Sequence, residues 1–258
     1  MATPRTERKP RLAYAANRRL GVRGLELLLE RGWEPVALLL AEGRSESHAD
    51  EMAERLPNVP VLRGQSFRTD DGLARLRSLE LDYLLSVHFP YLIPRKVLEL
   101  ARVGTLNLHP AYLPHNRGWH TPSWAILEGT PYGATLHWVS EGVDTGDIAL
   151  RKPIEVKPDE TAHRLYQRVL GLEEDLLSQA LPLLESESLP RVAPERGGAR
   201  HRRAELAAAQ ALDLDERCPI GEVIDRMRAL TTDRWDEAAY FEKDGVRYRI
   251  RVEIQEEG

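Results

Sequence analysis

Cysteine is almost absent from this chain: a single one, Cys218, stands in 258 residues. One thiol cannot close an internal disulfide, so a disulfide-stapled secreted fold is excluded. Long apolar runs are missing as well. The stretch 36–41 is among the longest and is far too short to cross a bilayer, and residues 1–10 hold no apolar signal core. The expectation is a cytoplasmic protein with no membrane partner. An excess of basic residues is also lacking. The 36 Lys and Arg against 41 Asp and Glu leave a net charge of -5 and a pI near 6.0. That balance speaks against DNA, and against tRNA, as a partner held by phosphate neutralisation, while a local basic patch stays open. There is no internal repeat, no low-complexity tract and no Gly-rich dinucleotide fingerprint. The turn Ala16-Asn17-Arg18-Arg19-Leu20-Gly21 is not one.

What is present is ordinary for a soluble globular chain, with 42% hydrophobic and 30% charged residues. The length suits one long domain, or one of about 180 residues plus an appendage. The second division is preferred: a catalytic domain over 1–188, a basic linker over 189–203 and a small α+β region over 204–258. Short apolar strands are expected at 11–16, 35–40, 59–62, 82–87 and 104–109, with amphipathic helices between them. This is the alternation of an α/β fold with a mainly parallel sheet. The helix expected over 21–31 places Val22, Leu25, Leu28 and Leu29 at helical spacing and ends at Gly32. A loop over 111–121, a helix over 122–128 and a hairpin of strands 133–139 and 148–156 come next. Asp159 is expected to cap a long helix reaching 185. The linker carries Arg191, Arg196, Arg200, Arg202 and Arg203 against the single acid Glu195. Beyond it come a helix over 220–230 and a hairpin of 238–242 and 246–253 turned at Asp244-Gly245.

Two short pieces carry chemistry: Asn107-Leu108-His109-Pro110 at a strand end, and Asp144-Thr145-Gly146-Asp147 in the hairpin loop. Asn107 and His109 are two apart, so on a strand their side chains leave one face. A neutral imidazole can take a proton near pH 7, an amide can donate to a developing oxyanion, and Asp144 can orient the imidazole. Together they suggest acyl transfer. The spacing of His109, His115 and His120 matches no known metal cage, so no metal is expected.

The run Asn107 to Pro114, then Asn116-Arg117-Gly118, Trp124-Ala125-Ile126, Gly129-Thr130-Pro131, Gly133, Thr135, His137 and Gly142 to Ile148, resembles the folate-dependent formyltransferase family. The match holds in register over some forty residues. The resemblance implies a Rossmann-like domain that takes N10-formyltetrahydrofolate as co-substrate and passes its formyl group to an amine. It assigns the family's catalytic triad to Asn107, His109 and Asp144. It also implies a folate pocket walled by Phe89, Pro90, Tyr91, Leu92 and Ile93, with the backbone of Ser140, Glu141, Gly142 and Val143 as its second side.

Relatives in that family differ in the amine they formylate and in the region carboxy-terminal to the catalytic domain. The tail from about residue 204 is short for a five-stranded barrel of the kind that holds tRNA. The segments Leu113-Pro114-His115-Asn116-Arg117-Gly118, Ala199-Arg200-His201-Arg202-Arg203, Met227-Arg228-Ala229-Leu230-Thr231 and Ala239-Tyr240-Phe241-Glu242 are similar to those of nucleotide-sugar N-formyltransferases. The resemblance therefore implies a nucleotide-linked aminosugar as partner, with His115, Asn116, Arg117, Gly118, Trp119 and Arg228 as substrate contacts. Asn17 and Arg19 are added because the equivalent turn of a purine-pathway relative cradles a phosphate. A homodimer is implied by resemblance alone. Formylation of methionyl-tRNA or another amine, hydrolysis of the folate donor, and a non-catalytic folate-binding module stay open as alternatives.

Overall fold

A computed structural model describes residues 9–257. Residues 1–8, on which most of the reading of the amino terminus rests, lie outside the described residues. In chain order the elements are β1 (Leu12–Ala16), α1 (Arg18–Glu30), β2 (Ala37–Leu40), α2 (Ala49–Arg55), β3 (Val61–Arg63), α3 (Asp70–Ser78), β4 (Tyr83–Val87), α4 (Arg95–Leu98), β5 (Gly104–His109), β6 (Arg117–Gly118), α5 (Thr121–Glu128), β7 (Tyr132–Trp138), β8 (Ile148–Ile154), α6 (Ala162–Glu185), β9 (Arg200–His201), α7 (Leu206–Gln210), α8 (Ile220–Ala229), β10 (Ala239–Lys243) and β11 (Val246–Ile250). The chain folds into two compact units, each drawn from three segments: 9–109, 136–150 and 174–193 in one, 110–135, 151–173 and 194–257 in the other. Strands β7 and β8 and helix α6 each run from one unit into the other. Among the described residues no helix is long and apolar enough to cross a membrane, and no group of three or more His, Cys, Asp or Glu is placed to hold a metal ion.

The first unit is the α/β layer expected from the strand spacing. Its sheet has the order β3-β2-β1-β4-β5-β7-β8, and β1 to β5 pair in parallel. Residues of β1, β2 and β4 are buried throughout, the signature of strands covered on both faces. Leu39, Leu62, Phe67, Leu76 and Leu84 anchor one side of its core. Helix α1 turns Leu20, Val22, Leu25 and Leu28 inward, and Gly32, at φ +62, ends it.

In the second unit, α6 begins at Ala162 rather than under an Asp159 cap. The hydroxyl of Thr161 accepts the Arg164 N–H at 3.3 Å, and Asp159 instead pairs with the Arg164 guanidinium. Leu206, Leu230 and Ala239 form a small core, packed by Trp124, Leu127 and Met227. The segment expected as linker carries β9, which pairs in parallel with β6: Arg117 faces Arg200 and Gly118 faces His201. Strands β10 and β11 form the expected hairpin, with Asp244 and Gly245 both at positive φ as its two-residue turn requires. Phe241 and Tyr248 stack at 5.2 Å on one face of that hairpin. Val246 and Tyr248 lie 49% and 47% exposed.

Candidate active site

The end of strand β5 supplies the first two polar side chains of the site. Asn107 and His109 alternate with the buried Leu106 and Leu108, so their side chains share a face. Ser86 stands opposite Asn107 in the β4–β5 register, and its hydroxyl donates to Asn107 Oδ1 at 2.8 Å. With its oxygen held there, the amide aims Nδ2 at His137 Nε2, 3.2 Å away. His137 Nδ1 lies 3.0 Å from the Trp138 carbonyl oxygen, an acceptor only. Nδ1 therefore carries the proton and Nε2 accepts from Asn107.

Asp144 stands between two imidazoles. Its Oδ2 is 3.5 Å from His109 Nε2 and its Oδ1 3.5 Å from His137 Nε2. The two rings meet edge to face at 6.3 Å. All four side chains belong to the first unit. Asp144 sits at φ +51, a left-handed conformation that costs a non-glycine residue free energy and tends to mark functional sites. The loop that imposes it is tight. A Cβ on Gly146 would lie 1.7 Å from the Trp138 carbonyl oxygen, and the Ser140 and Thr145 hydroxyls bond each other at 2.8 Å.

His137 is the member to which sequence reasoning assigned no role. The signal that could have found it is its company: with Thr135 it is one of two hydrogen-bonding polar residues set two apart in a mainly apolar strand, and the structure buries both.

The segments expected to hold folate lie in the same unit, one soon after β4 and the other directly before Asp144. Phe89 and Tyr91 meet edge on at 5.3 Å, and both pack on Phe67. Ile93 joins them on the core, Pro90 is half-buried, and Leu92 stands 71% exposed. Arg95, just after this loop, pairs with Glu141 at 2.9 Å, tying it to the 140–143 segment, where Gly142 is exposed and Val143 half-buried. At the first turn the buried Asn17 accepts the Ser47 N–H at 2.9 Å, its own N–H reaches the Val87 carbonyl, and Arg19 pairs with Glu51 at 3.4 Å.

The remaining expected contacts lie in the second unit. His115 N–H donates to the Tyr112 carbonyl at 3.0 Å. Asn116 is buried and donates to Thr130 at 2.7 Å, acting as a staple of its own loop. Arg117 reaches the Gly198 carbonyl at 3.1 Å. Trp119 is 45% exposed, with the Arg203 guanidinium 5.2 Å from its ring. Beside it, burial pushes His120 below the ordinary histidine range, against the opposing pull of Glu237. Arg228 is buried and committed to the protein: it donates to the Lys157 and Pro158 carbonyls at 2.7 Å and pairs with Asp225 at 2.8 Å.

Chemically, the first unit offers an amide donor, two imidazoles and a carboxylate around one point, beside an apolar loop. Comparison with known proteins bears on the family and the fold. The formyl transferase family profile matches residues 39–181, and a profile described as the N-formyltransferase dimerization C-terminal domain matches residues 205–256. Methionyl-tRNA formyltransferase of Syntrophus aciditrophicus is 30% identical over 175 residues, covering 65% of this chain and 56% of the relative. The chain thus spans little more than half the length of that relative. A sugar N-formyltransferase from Shewanella superposes with a TM-score of 0.82 at 20% identity, over 96% of this chain and 99% of that one. An N-formyltransferase from Helicobacter canadensis, solved with folinic acid and dTDP-3-aminofucose, gives 0.68 at 17% identity, over 92% and 85%. At these identities the two structures establish the fold.

Proposed function

Because the chain belongs to the formyl transferase family, whose profile covers more than half of it, we propose that it transfers the formyl group of N10-formyltetrahydrofolate to the amine of a nucleotide-linked aminosugar. The observation that carries this reading is the cluster of Asn107, His109, His137 and Asp144.

The chemistry derives from the residue types. The acceptor amine attacks the formyl carbon, and the carbonyl oxygen becomes an oxyanion. Asn107 Nδ2, held donor-side out by Ser86, hydrogen-bonds that oxygen as its charge develops. His109 takes the proton that the attacking amine sheds, and Asp144 supports the imidazolium so formed. The same proton returns to N10 as the C–N10 bond breaks, leaving an N-formyl sugar and tetrahydrofolate. His137 accepts from the Asn107 amide through Nε2 and so fixes it.

The donor fits the half-buried aromatic loop, whose exposed Leu92 extends an apolar surface suited to a flat ring. The Helicobacter neighbour, bound to a dTDP-aminosugar, supports the acceptor class. So does the pairing of the loop through Arg117 to Trp119 with the arginine-bearing segment at 200–203, since arginine suits phosphate oxygens. The dimerization profile supports a homodimer, for which the exposed Val246 and Tyr248 face is the proposed contact.

The test is incubation with N10-formyltetrahydrofolate and a panel of dTDP-, UDP- and GDP-linked aminosugars, with methionyl-tRNA as a further arm and mass detection of products. Formylated sugar and tetrahydrofolate in equal amounts are expected. Formate release without any formylated acceptor indicates a hydrolase, and formylation of methionyl-tRNA alone overturns the sugar assignment.

A further inference from the structure

We propose that His201 is a positioning residue, which holds the 115–119 loop in place by lying flat on Trp124. The proposal rests on the reading of that loop as part of the acceptor site. Its backbone and its ring do different work. The Arg117 N–H donates to the Ala199 carbonyl and the Trp119 N–H to the His201 carbonyl, each at 3.1 Å. Two amides of the loop therefore hang on residues 199–201. Contact there is as close as backbones allow: a Cβ on Gly118, which sits at φ +95, would lie 2.3 Å from the His201 carbonyl oxygen.

A two-residue strand has little order of its own, so something must keep β9 where the loop needs it. The His201 ring does so. It stacks on Trp124 of α5 with centroids 4.0 Å apart and planes 7° from parallel. Its Nε2 lies 3.3 Å from Glu128, one turn further along the same helix, and its Nδ1 3.8 Å from Glu205. One side chain thus joins the loop, helix α5 and the turn at 203–205.

The stack itself makes this link. Nε1 of Trp124 is buried with no hydrogen-bond partner among the described residues, so it is the flat face of the His201 ring, and not a bond from the indole, that joins the two side chains.

The test uses His201→Ala and His201→Phe in the full chain. With the preferred nucleotide aminosugar, His201→Ala is expected to raise the acceptor KM about tenfold or more. Its kcat and its KM for N10-formyltetrahydrofolate are expected to stay within about twofold of the parent. Amide exchange at Arg117 and Trp119 accelerates in parallel. His201→Phe, which keeps the flat ring, restores both readouts. An unchanged acceptor KM with unchanged exchange, or a phenylalanine variant as impaired as alanine, overturns the proposal. If the alanine variant does not fold, His201→Gln, which also removes the ring, carries the same measurements. Failure of the parent protein to formylate any nucleotide sugar refutes the acceptor reading, while the exchange comparison still decides whether His201 holds the loop.

Discussion

Asp144 faces His109 while His137 Nε2 is taken up by the Asn107 amide, and this division sets what each replacement does. His109→Ala removes the proposed base and is expected to lower kcat by about 10²–10⁴-fold, while N10-formyltetrahydrofolate still binds in a fluorescence titration. Asn107→Ala removes the proposed oxyanion donor and is expected to cost about 3 kcal/mol of transition-state stabilisation, read as kcat with an unchanged donor KM. His137→Leu leaves the Asn107 amide without its acceptor; steady-state kinetics should show a fall of about tenfold or more, smaller than that of His109→Ala. His120 makes a prediction in pH. Burial holds its pKa below 6.5. Above 6.5 the ring is neutral in both states and contributes nothing. Below it the unfolded chain takes the proton first, so stability falls as pH drops from 6.5 towards the folded value. His120→Gln is expected to flatten that part of a Tm-against-pH curve. Equal slopes in the two proteins would remove His120 from the account.

Elements position these residues through close backbone approaches. Gly146 is the sharpest: its Cβ would collide with the Trp138 carbonyl, a rigid partner. Gly146→Ala should therefore displace the loop bearing Asp144, lowering kcat together with Tm in a melting experiment. The spacing of apolar runs made the five parallel strands legible, and the Asp244-Gly245 pair made the second hairpin so, because both signals are local. Asn107 and His109 were legible for the same reason, being two apart on one strand. The helix start was missed because Asp159 and Thr161 are both good caps, and only the path of the chain decides which hydroxyl or carboxylate meets an amide. Strand β9 was hidden for a different reason. Arginine-rich sequence has no strand pattern, and its pairing with β6 is between residues more than eighty positions apart. His137 carried no spacing signal, since its partners Asn107 and Asp144 reach it from other elements.

On the scale of the whole molecule, the hairpin of β10 and β11 shows an apolar face and, on β11, a strand edge that a second copy can cover. Replacing Val246 and Tyr248 together by Glu is expected to turn the proposed dimer into a monomer in light scattering, with the far-UV spectrum retained. A dimer that survives would place the contact elsewhere. The interleaving of the two units reaches further than assembly. The first unit takes its last segment, 174–193, only after two segments of the second have passed. Protein synthesis delivers residues in order, so Asn107, His109, His137 and Asp144 all leave the ribosome before the helix that completes their own unit exists. A nascent chain halted at residue 150 would carry all four of these side chains and lack the whole of α6, whose Leu176, Leu177 and Leu181 are buried. A fragment of residues 9–150 is accordingly expected to give no cooperative melting transition. Chemistry in this protein becomes possible late in its making, even though its residues are spelled early.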